Sequence, residues 1–382
     1  MSLPPLHITR ARVLRPEGWT DAPLGLAGGV LTAAAVGRAI DLSGYLVLPG
    51  IVDIHGDGFE RHVARRRGAM MDMEEGLLSA AAELAVNGIT TAMLAQFYSW
   101  EGGLRSPDFA RAVIDAHARA RAIAIPDLHL QLRVETHMLD DYPEILRLVR
   151  DHAIRQVVFN DHLPHDRLAA GRTIPRLTGT ALKSRRSPEA HLALMQALHA
   201  RRDEVPEAVS ALARDLAGAG AIVGHHDAQR AEDVAFWARA GVSLAEFPET
   251  QAAAEAARAQ GGAIVLGAPN VNRGGSHKGN ASATELVGQG LCDALASDYH
   301  YPAPRRAVLQ LAARGILPLE AAWPLISSGP AAILGFADRG RLAAGLRADL
   351  VVLDAATHQV AATISGGRLA YMAGEVAARF VA

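Results

Sequence analysis

The hydrophobic positions in the central part of the chain form short apolar runs that alternate with longer amphipathic stretches. The apolar runs are typical of strands that are buried on both faces. They predict strands at 46–55, 89–95, 128–135, 156–161, 221–225, 242–247, 263–268 and 294–298. The amphipathic, Ala-rich stretches between them predict helices at 75–87, 107–122, 188–200, 206–217, 251–259 and 305–314.

This alternation predicts an α/β protein with parallel strands, because helical crossovers join consecutive strands. A doubly wound open sheet is one architecture that fits the pattern. The count of eight strands favours the other, a (β/α)8 TIM-like barrel. Gly88, Gly218 and Gly315 follow three of the predicted helices, and we interpret them as C-terminal caps.

The two ends of the chain have a different pattern. Residues 5–43 and 340–382 contain short β-like pieces separated by turn glycines. We expect the termini to meet in one small β-sandwich domain, formed by residues 1–48 and 335–382. The barrel domain would then span residues 49–334.

Residues 163–187 form a long insertion between two predicted strands. The insertion carries six basic side chains, namely Arg167, Arg172, Arg176, Lys183, Arg185 and Arg186. Long connections in compact domains are usually functional lids or mobile segments. The sequence leaves both interpretations open, a lid and a solvated surface loop.

Composition narrows the classes of function. The chain has 382 residues, half of them apolar, so it can bury a sizeable core. A net charge of −2 argues against a nucleic-acid or membrane-surface partner. The single cysteine excludes a disulfide framework and a Cys-rich zinc site. With no signal-peptide pattern and no long apolar run, we expect a cytoplasmic, soluble protein, and a homo-oligomer is compatible with this.

The run Tyr45-Leu-Val-Leu-Pro-Gly-Ile-Val-Asp-Ile-His-Gly-Asp57 ends in two metal-binding side chains, His55 and Asp57. A spacing of i, i+2 puts both on one face of an extended chain. Barrel enzymes have their active sites at the carboxyl ends of the barrel strands. His55 and Asp57 are therefore candidate metal ligands.

Other predicted strands also end on side chains that bind metals. These side chains are Glu135, His162, His225 and Asp298. A carboxylate such as Glu135 can bridge two divalent cations, and Asp298 can both bind a metal and accept a proton from water. His226 and Asp227 are alternatives to His225 as the metal ligand from this strand. Taken singly, each residue could instead be a core histidine or a helix cap. Their joint occurrence at strand ends favours a metal centre.

Two motifs make the chain similar to the amidohydrolase superfamily over nearly its full length. They are Leu48-Pro-Gly-Ile-Val-Asp-Ile-His55 and Gly340-Arg-Leu-Ala-Ala-Gly-Leu-Arg-Ala-Asp-Leu-Val-Val352. Within that superfamily, the chain most closely resembles the phosphonate-metabolism branch. One reason is the motif Leu266-Gly-Ala-Pro-Asn-Val-Asn-Arg-Gly-Gly-Ser-His-Lys-Gly-Asn280. Another is Asp57, which gives His-x-Asp where the superfamily more commonly has His-x-His.

The resemblance implies a site for two divalent ions, zinc in the first place and manganese or iron as alternatives. Its ligands would be His55, Asp57, Glu135, His162, His225 and Asp298. It also implies that metal-bound hydroxide cleaves a small phosphorylated substrate, α-D-ribose 1-methylphosphonate 5-triphosphate or a related compound, with release of diphosphate. Asp298 is the expected catalytic base. The residues expected to bind the substrate are Arg66, Arg273, Ser276, His277 and Lys278.

The chain departs from the branch at a few places. Gly56 and Gly58 flank Asp57, and His165-Asp166 stands where the branch has Gly-Gln after Pro164. A second functional hypothesis is therefore kept: hydrolysis of an amide, a cyclic amide or an amidine, the commoner chemistry of the superfamily. Basic residues converging near the metals favour the diphosphatase. An apolar pocket with one anchoring arginine would favour the amide hydrolase.

Overall fold

The computed structural model describes residues 2–64, 72–274 and 280–381. Its eight-stranded parallel sheet confirms the predicted fold class. The strands of this sheet are β8 Ile51–Gly56, β9 Ile89–Tyr98, β10 Asp127–Glu135, β11 Gln156–Asn160, β12 Ile222–His226, β13 Leu244–Glu246, β14 Ala263–Gly267 and β15 Ala294–Ala296. Their order in the sheet follows their order in the chain. A parallel bridge between Gly56 and Asp298 joins the first strand to the last, as closure of a barrel requires.

Helices connect these strands. The described helices are α1 Glu60–Val63, α2 Met73–Val86, α3 Pro107–Ile123, α4 Tyr142–Asp151, α5 His165–Ala169, α6 Leu177–Lys183, α7 Pro188–Ala200, α8 Val205–Gly218, α9 Ala231–Arg239, α10 Gln251–Ala259, α11 Ala268–Arg273, α12 Ala283–Gly288, α13 Ala303–Ala313, α14 Leu319–Ala322, α15 Ser328–Ile333 and α16 Gly374–Val381. All six predicted helices are present. Among the helices of the described ranges, none is long and apolar enough to cross a membrane.

The predicted glycine caps are confirmed in two cases of three. Gly88 and Gly315 follow their helices with φ of 84° and 68°, the left-handed conformation that glycine adopts at low cost. Gly218 is instead the last residue of α8. The left-handed position after that helix belongs to Gly220, with φ of 87°. Two glycines compete for one cap there, and the sequence pattern does not distinguish them.

The termini form two further sheets, as predicted: N-terminal strands make up one sheet, and strands of both termini make up the other. Their strands are β1 Leu6–Thr9, β2 Arg12–Arg15, β3 Gly18–Thr20, β4 Leu24–Ala27, β5 Val30–Thr32, β6 Arg38–Asp41, β7 Tyr45–Pro49, β16 Leu350–Asp354, β17 Val360–Ser365 and β18 Arg368–Met372. One sheet has the order β5-β4-β1-β6 and the other β18-β17-β16-β7-β2-β3. The antiparallel pairing of β7 with β16 joins the two ends of the chain. Ile8, Leu24, Val47 and Val352 belong to one buried cluster that the two sheets share.

The chain divides into two compact units, which are described separately below. The first unit comprises Met1–Leu94, Arg119–His129 and Val265–Ala382. The second comprises Ala95–Ala118 and Leu130–Ile264. The predicted division into a terminal domain and a barrel domain at residues 48/49 and 334/335 stays a prediction.

The basic insertion contains two helices, α5 and α6, and is anchored by apolar contacts. Leu163 lies in a buried cluster with Trp100 and Met195, and Leu168 and Leu177 pack against that cluster. These contacts give the insertion a fixed position in the second unit, unlike a loop that is solvated on all sides.

Candidate metal centre

The first unit brings three of the predicted ligands together at the junction of β8 and β15. One ligand atom each from His55, Asp57 and Asp298 lies within 4.8 Å of the others. His55 is fully buried, whereas Asp57 and Asp298 are partly exposed. One imidazole nitrogen and two carboxylates form a donor set that suits zinc, manganese or iron.

The backbone positions Asp298 beside the end of β8. The Asp298 N–H donates to the His55 carbonyl and the Asp57 N–H donates to the Asp298 carbonyl, both at 3.0 Å. Asp298 has a φ of 56°, in the left-handed region that costs a non-glycine residue on the order of 1–3 kcal/mol. Such strain is held by its surroundings and is concentrated at functional sites. The left-handed turn at Asp298 supports the predicted functional role, and no sequence pattern indicates this turn.

A buried carboxylate lies directly beneath this cluster. Asp53 is fully buried and accepts hydrogen bonds from the Ser297 hydroxyl at 2.5 Å and the Ser297 N–H at 2.9 Å. Burial raises the pKa of Asp53 to about 6, and the bonds from Ser297 offset only part of that effect. Asp53 precedes His55 by two residues, so the same i, i+2 spacing that revealed His55 and Asp57 could have revealed it.

Both glycines around Asp57 are closely packed. A Cβ at Gly56 would lie 2.7 Å from Asp53 Oδ2 and 2.9 Å from Ser297 Oγ. A Cβ at Gly58 would lie 2.9 Å from Arg61 Nη1 and 3.2 Å from the Tyr299 carbonyl oxygen. A side chain is therefore excluded at Gly56, where Asp53 and Ser297 are buried, whereas at Gly58 the closest atom belongs to the flexible tip of Arg61.

The second unit brings Glu135 and His162 together with Glu101. Glu135 is fully buried and accepts hydrogen bonds from the Trp100 indole N–H and the His162 backbone N–H, both at 3.1 Å. Its Oε1 lies 2.5 Å from His162 Nδ1. One ligand atom each from Glu101, Glu135 and His162 lies within 4.8 Å of the others. Glu101 was not predicted, because it follows β9 in a turn without any motif.

Opposing electrostatic effects act on this second cluster. Burial lowers the pKa of His162, but the hydrogen bond and charge of Glu135 outweigh burial and raise it. Burial raises the pKa of Glu101, but the charges of Arg105 and His162 outweigh it and hold that pKa below its usual value. Glu101 is therefore surrounded by groups that favour its charged, metal-binding form.

The His225 side chain faces the helices. Its ring is parallel to that of Trp237 on α9, with 5.8 Å between centroids, and Phe159 stacks on the same indole at 5.2 Å. His225 is buried, its Nδ1 has no hydrogen-bond partner among the described residues, and burial lowers its pKa to about 4. This environment favours a neutral core histidine.

His226 occupies the opposite face of β12, where the polar residues of the neighbouring strands lie. Its Nε2 is 3.1 Å from Arg133 Nη2, which also donates to Asn160 Oδ1 at 2.8 Å. Because a guanidinium only donates, Nε2 acts as an acceptor and carries no proton. His226 Nδ1 lies 2.9 Å from the Asp227 carboxylate. His226 is therefore neutral, and a metal bound through Nε2 would take the place of the Arg133 contact.

Two guanidinium groups converge on Tyr299, the residue after Asp298. Arg273 donates to the Tyr299 hydroxyl, and Arg61 donates to the Tyr299 carbonyl at 3.3 Å. Both arginines are exposed. Arg61 was not predicted, because α1 carries no motif. Of the other predicted substrate residues, Arg66, Ser276, His277 and Lys278 lie outside the described residues.

Comparison with known proteins gives one strong sequence relative and many structural ones. No family model matches the chain. The chain is 33% identical over 333 residues to alpha-D-ribose 1-methylphosphonate 5-triphosphate diphosphatase of Escherichia coli strain K12, covering 82% of this chain and 85% of that protein.

Two solved structures illustrate the shared fold. Beta-aspartyl dipeptidase of Fervidobacterium islandicum AW-1 superposes with a TM-score of 0.63 and 15% identity, over 98% of each chain. A D-aminoacylase described as defining a subset of amidohydrolases gives a TM-score of 0.61 and 15% identity, over 96% of each chain. At these identities the likeness concerns the fold alone.

The close packing at Gly56 generates a test. We expect Gly56→Ala to push Asp53 and Ser297 apart, to cost about 1–3 kcal/mol of unfolding free energy, and to reduce the metal that the purified protein retains. Gly179→Ala is the matched control, because a Cβ there meets nothing within 4 Å. Thermal unfolding and metal analysis measure both effects. Equal behaviour of the two variants would contradict the packing argument.

Proposed function

The chain belongs to the family of alpha-D-ribose 1-methylphosphonate 5-triphosphate diphosphatases, within the amidohydrolase superfamily, and we propose that it hydrolyses a ribosyl 5-triphosphate of phosphonate metabolism with release of diphosphate. The chain is therefore a hydrolase. The observation that carries the proposal is the cluster of His55, Asp57 and Asp298, a donor set with a proton acceptor at the carboxyl end of parallel strands.

We propose that this cluster holds a divalent ion, with zinc as the first candidate. Glu135 and His162, with Glu101 beside them, form a second donor set in the second unit. A bound divalent ion would lower the pKa of a water molecule and neutralise phosphoryl oxygens. The single site for two ions with six ligands, expected from the sequence, remains a prediction. Within it, the environments of the two neighbouring histidines support His226 rather than His225 as the ligand from β12.

Asp298 is the proposed proton acceptor. The water oxygen would form a bond to the phosphorus nearest the ribose, while the bond from that phosphorus to the oxygen bridging to the diphosphate breaks. Asp298 would take the water proton, and diphosphate would leave with the bridging oxygen. The products would be a ribose 5-phosphate ester and diphosphate. In-line transfer of this kind depends mainly on positioning and on charge stabilisation.

Arg61 and Arg273 support a phosphorylated substrate. Both guanidinium groups contact Tyr299, one residue from Asp298, and both are exposed. Guanidinium groups bind phosphate oxygens through paired, charge-assisted hydrogen bonds. This convergence is the feature that favours the diphosphatase over the amide hydrolase, whose pocket would need one anchoring arginine in apolar surroundings.

Replacing the proposed proton acceptor tests the mechanism. We expect Asp298→Asn to lower kcat for the ribosyl triphosphate at least about 10²-fold, since a positioned general base contributes roughly 10²–10⁴-fold. Circular dichroism should show an unchanged fold. Asp293→Asn, a neutral replacement before the same strand, serves as the control and should retain normal turnover. Near wild-type turnover of Asp298→Asn would remove Asp298 from this role.

The two adjacent histidines provide a matched pair. We expect His226→Ala to lose bound zinc and turnover, because it removes a ligand. His225→Ala should retain zinc but unfold at a lower temperature, because it removes the ring stacked on Trp237. Metal content and thermal unfolding, measured on both variants, distinguish the two roles. Loss of zinc from His225→Ala alone would restore His225 as the ligand.

Substitution of Arg61 and Arg273 tests whether the substrate is phosphorylated. We expect Arg61→Ala and Arg273→Ala each to raise KM for the triphosphate by roughly 10- to 150-fold, because a charge-assisted hydrogen bond contributes about 1.5–3 kcal/mol. Arg150→Ala replaces an exposed arginine of the second unit and should leave KM unchanged. Unchanged KM in both Arg61→Ala and Arg273→Ala would mean that these residues do not bind the phosphates.

A further inference from the structure

We propose that the second unit carries an additional zinc site formed by His137, Asp161 and His165, with His199 as a hydrogen-bond partner of His165. None of these residues belongs to the ligand set proposed above. One ligand atom each from His137, Asp161 and His165 lies within 4.8 Å of the others. Two imidazoles and one carboxylate are typical zinc ligands, and an open zinc site has three protein ligands and water.

The distances within the cluster match those of a tetrahedral site. Asp161 Oδ1 lies 3.2 Å from His165 Nε2 and 3.6 Å from His137 Nδ1. With zinc–ligand bonds of about 2.0–2.1 Å, neighbouring donor atoms lie about 3.4 Å apart. The two observed separations fall on either side of that value. Shifts of a few tenths of an ångström, of the order that side-chain rotation allows, would therefore admit the ion.

His137 is the buried ligand, and its polar atoms are incompletely satisfied. The side chain is 4% exposed, and Nε2 has no hydrogen-bond partner among the residues that the structure describes. Nδ1 contacts the adjacent Thr136 hydroxyl at 3.2 Å, while its distance to Asp161 is longer than a hydrogen bond. Because Nδ1 is the atom that lies near Asp161, Nδ1 would bind the ion, and the ion would complete the polar contacts on that side of the buried imidazole.

A hydrogen bond with His199 can select the His165 tautomer that binds a metal through Nε2. The Nδ1 atoms of His165 and His199 lie 2.8 Å apart, so one of them carries the proton and the other accepts it. In the metal-bound form, His165 would donate Nδ1–H to His199, and its Nε2 lone pair would face the ion in place of the present contact with Asp161. Metal-binding histidines usually donate their second N–H to a partner in this way.

The positions of the ligands indicate what the ion would do. His137 and Asp161 follow β10 and β11, whereas His165 is the first residue of α5 and His199 lies on α7. The ion would tie the start of the basic insertion to the ends of two strands of the second unit. This is the place where the chain has His165-Asp166 after Pro164, a departure from the phosphonate branch.

Zinc stoichiometry of the full-length protein tests the site. After removal of metals by a chelator and dialysis against zinc, we expect His137→Ala and His165→Ala each to bind about one zinc per chain fewer than the wild type. His152→Ala, at an exposed histidine outside the cluster, should match the wild type. Asp298→Asn should keep the zinc assigned to this cluster, so failure of the proposed function and failure of this site are distinguishable.

Cobalt substitution provides a positive spectroscopic signal, which does not depend on measuring a loss of bound zinc. In cobalt-loaded His165→Cys, a ligand thiolate would give a sulfur-to-cobalt charge-transfer absorption. We expect that absorption in His165→Cys and not in His152→Cys or the wild type, which carry Cys292. Wild-type zinc stoichiometry in both alanine variants, or absence of the absorption from folded His165→Cys, would overturn the proposal.

Discussion

The backbone hydrogen bonds between residues 55–57 and Asp298 join the first strand of the parallel sheet to the last. They hold His55, Asp57 and Asp298 within metal-binding distance. They also maintain Asp298 in a left-handed conformation that a non-glycine residue adopts only at a cost. Ser297, the residue before Asp298, also connects the two strands, because it donates two hydrogen bonds to Asp53. The candidate centre therefore depends on this junction, and so does the approach of Arg61 and Arg273 to Tyr299.

Much of the fold could be predicted, because parallel strands that are buried on both faces give continuous apolar runs. The same property explains one ambiguity. On β12 both faces are buried or nearly so, and no polar–apolar alternation distinguishes His225 from His226. Only the neighbours differ: Trp237 on the helix side and Arg133 on the other. The i, i+2 spacing of His55 and Asp57 was informative because both are polar within an apolar strand, and Asp53 shares that spacing.

Other parts of the candidate site depend on tertiary contacts that leave no local pattern. Glu101 follows β9 in a turn and meets His162 only through folding. Arg61 reaches Tyr299 across 238 positions of the chain. Left-handed residues follow three barrel strands, at Asp227, Phe247 and Asp298, with φ of 58°, 54° and 56°. Aspartate tolerates this conformation better than most residues, but composition alone does not locate it.

Hydrolysis of α-D-ribose 1-methylphosphonate 5-triphosphate in ¹⁸O-labelled water tests the central claim most directly. The products can be identified and their label located by ³¹P NMR. The proposed mechanism predicts zinc-dependent release of unlabelled diphosphate, with one ¹⁸O atom in the ribose 5-phosphate ester. Removal of zinc should stop the reaction. Release of orthophosphate, or cleavage of an N-acyl amide without any turnover of the triphosphate, would contradict the proposed activity.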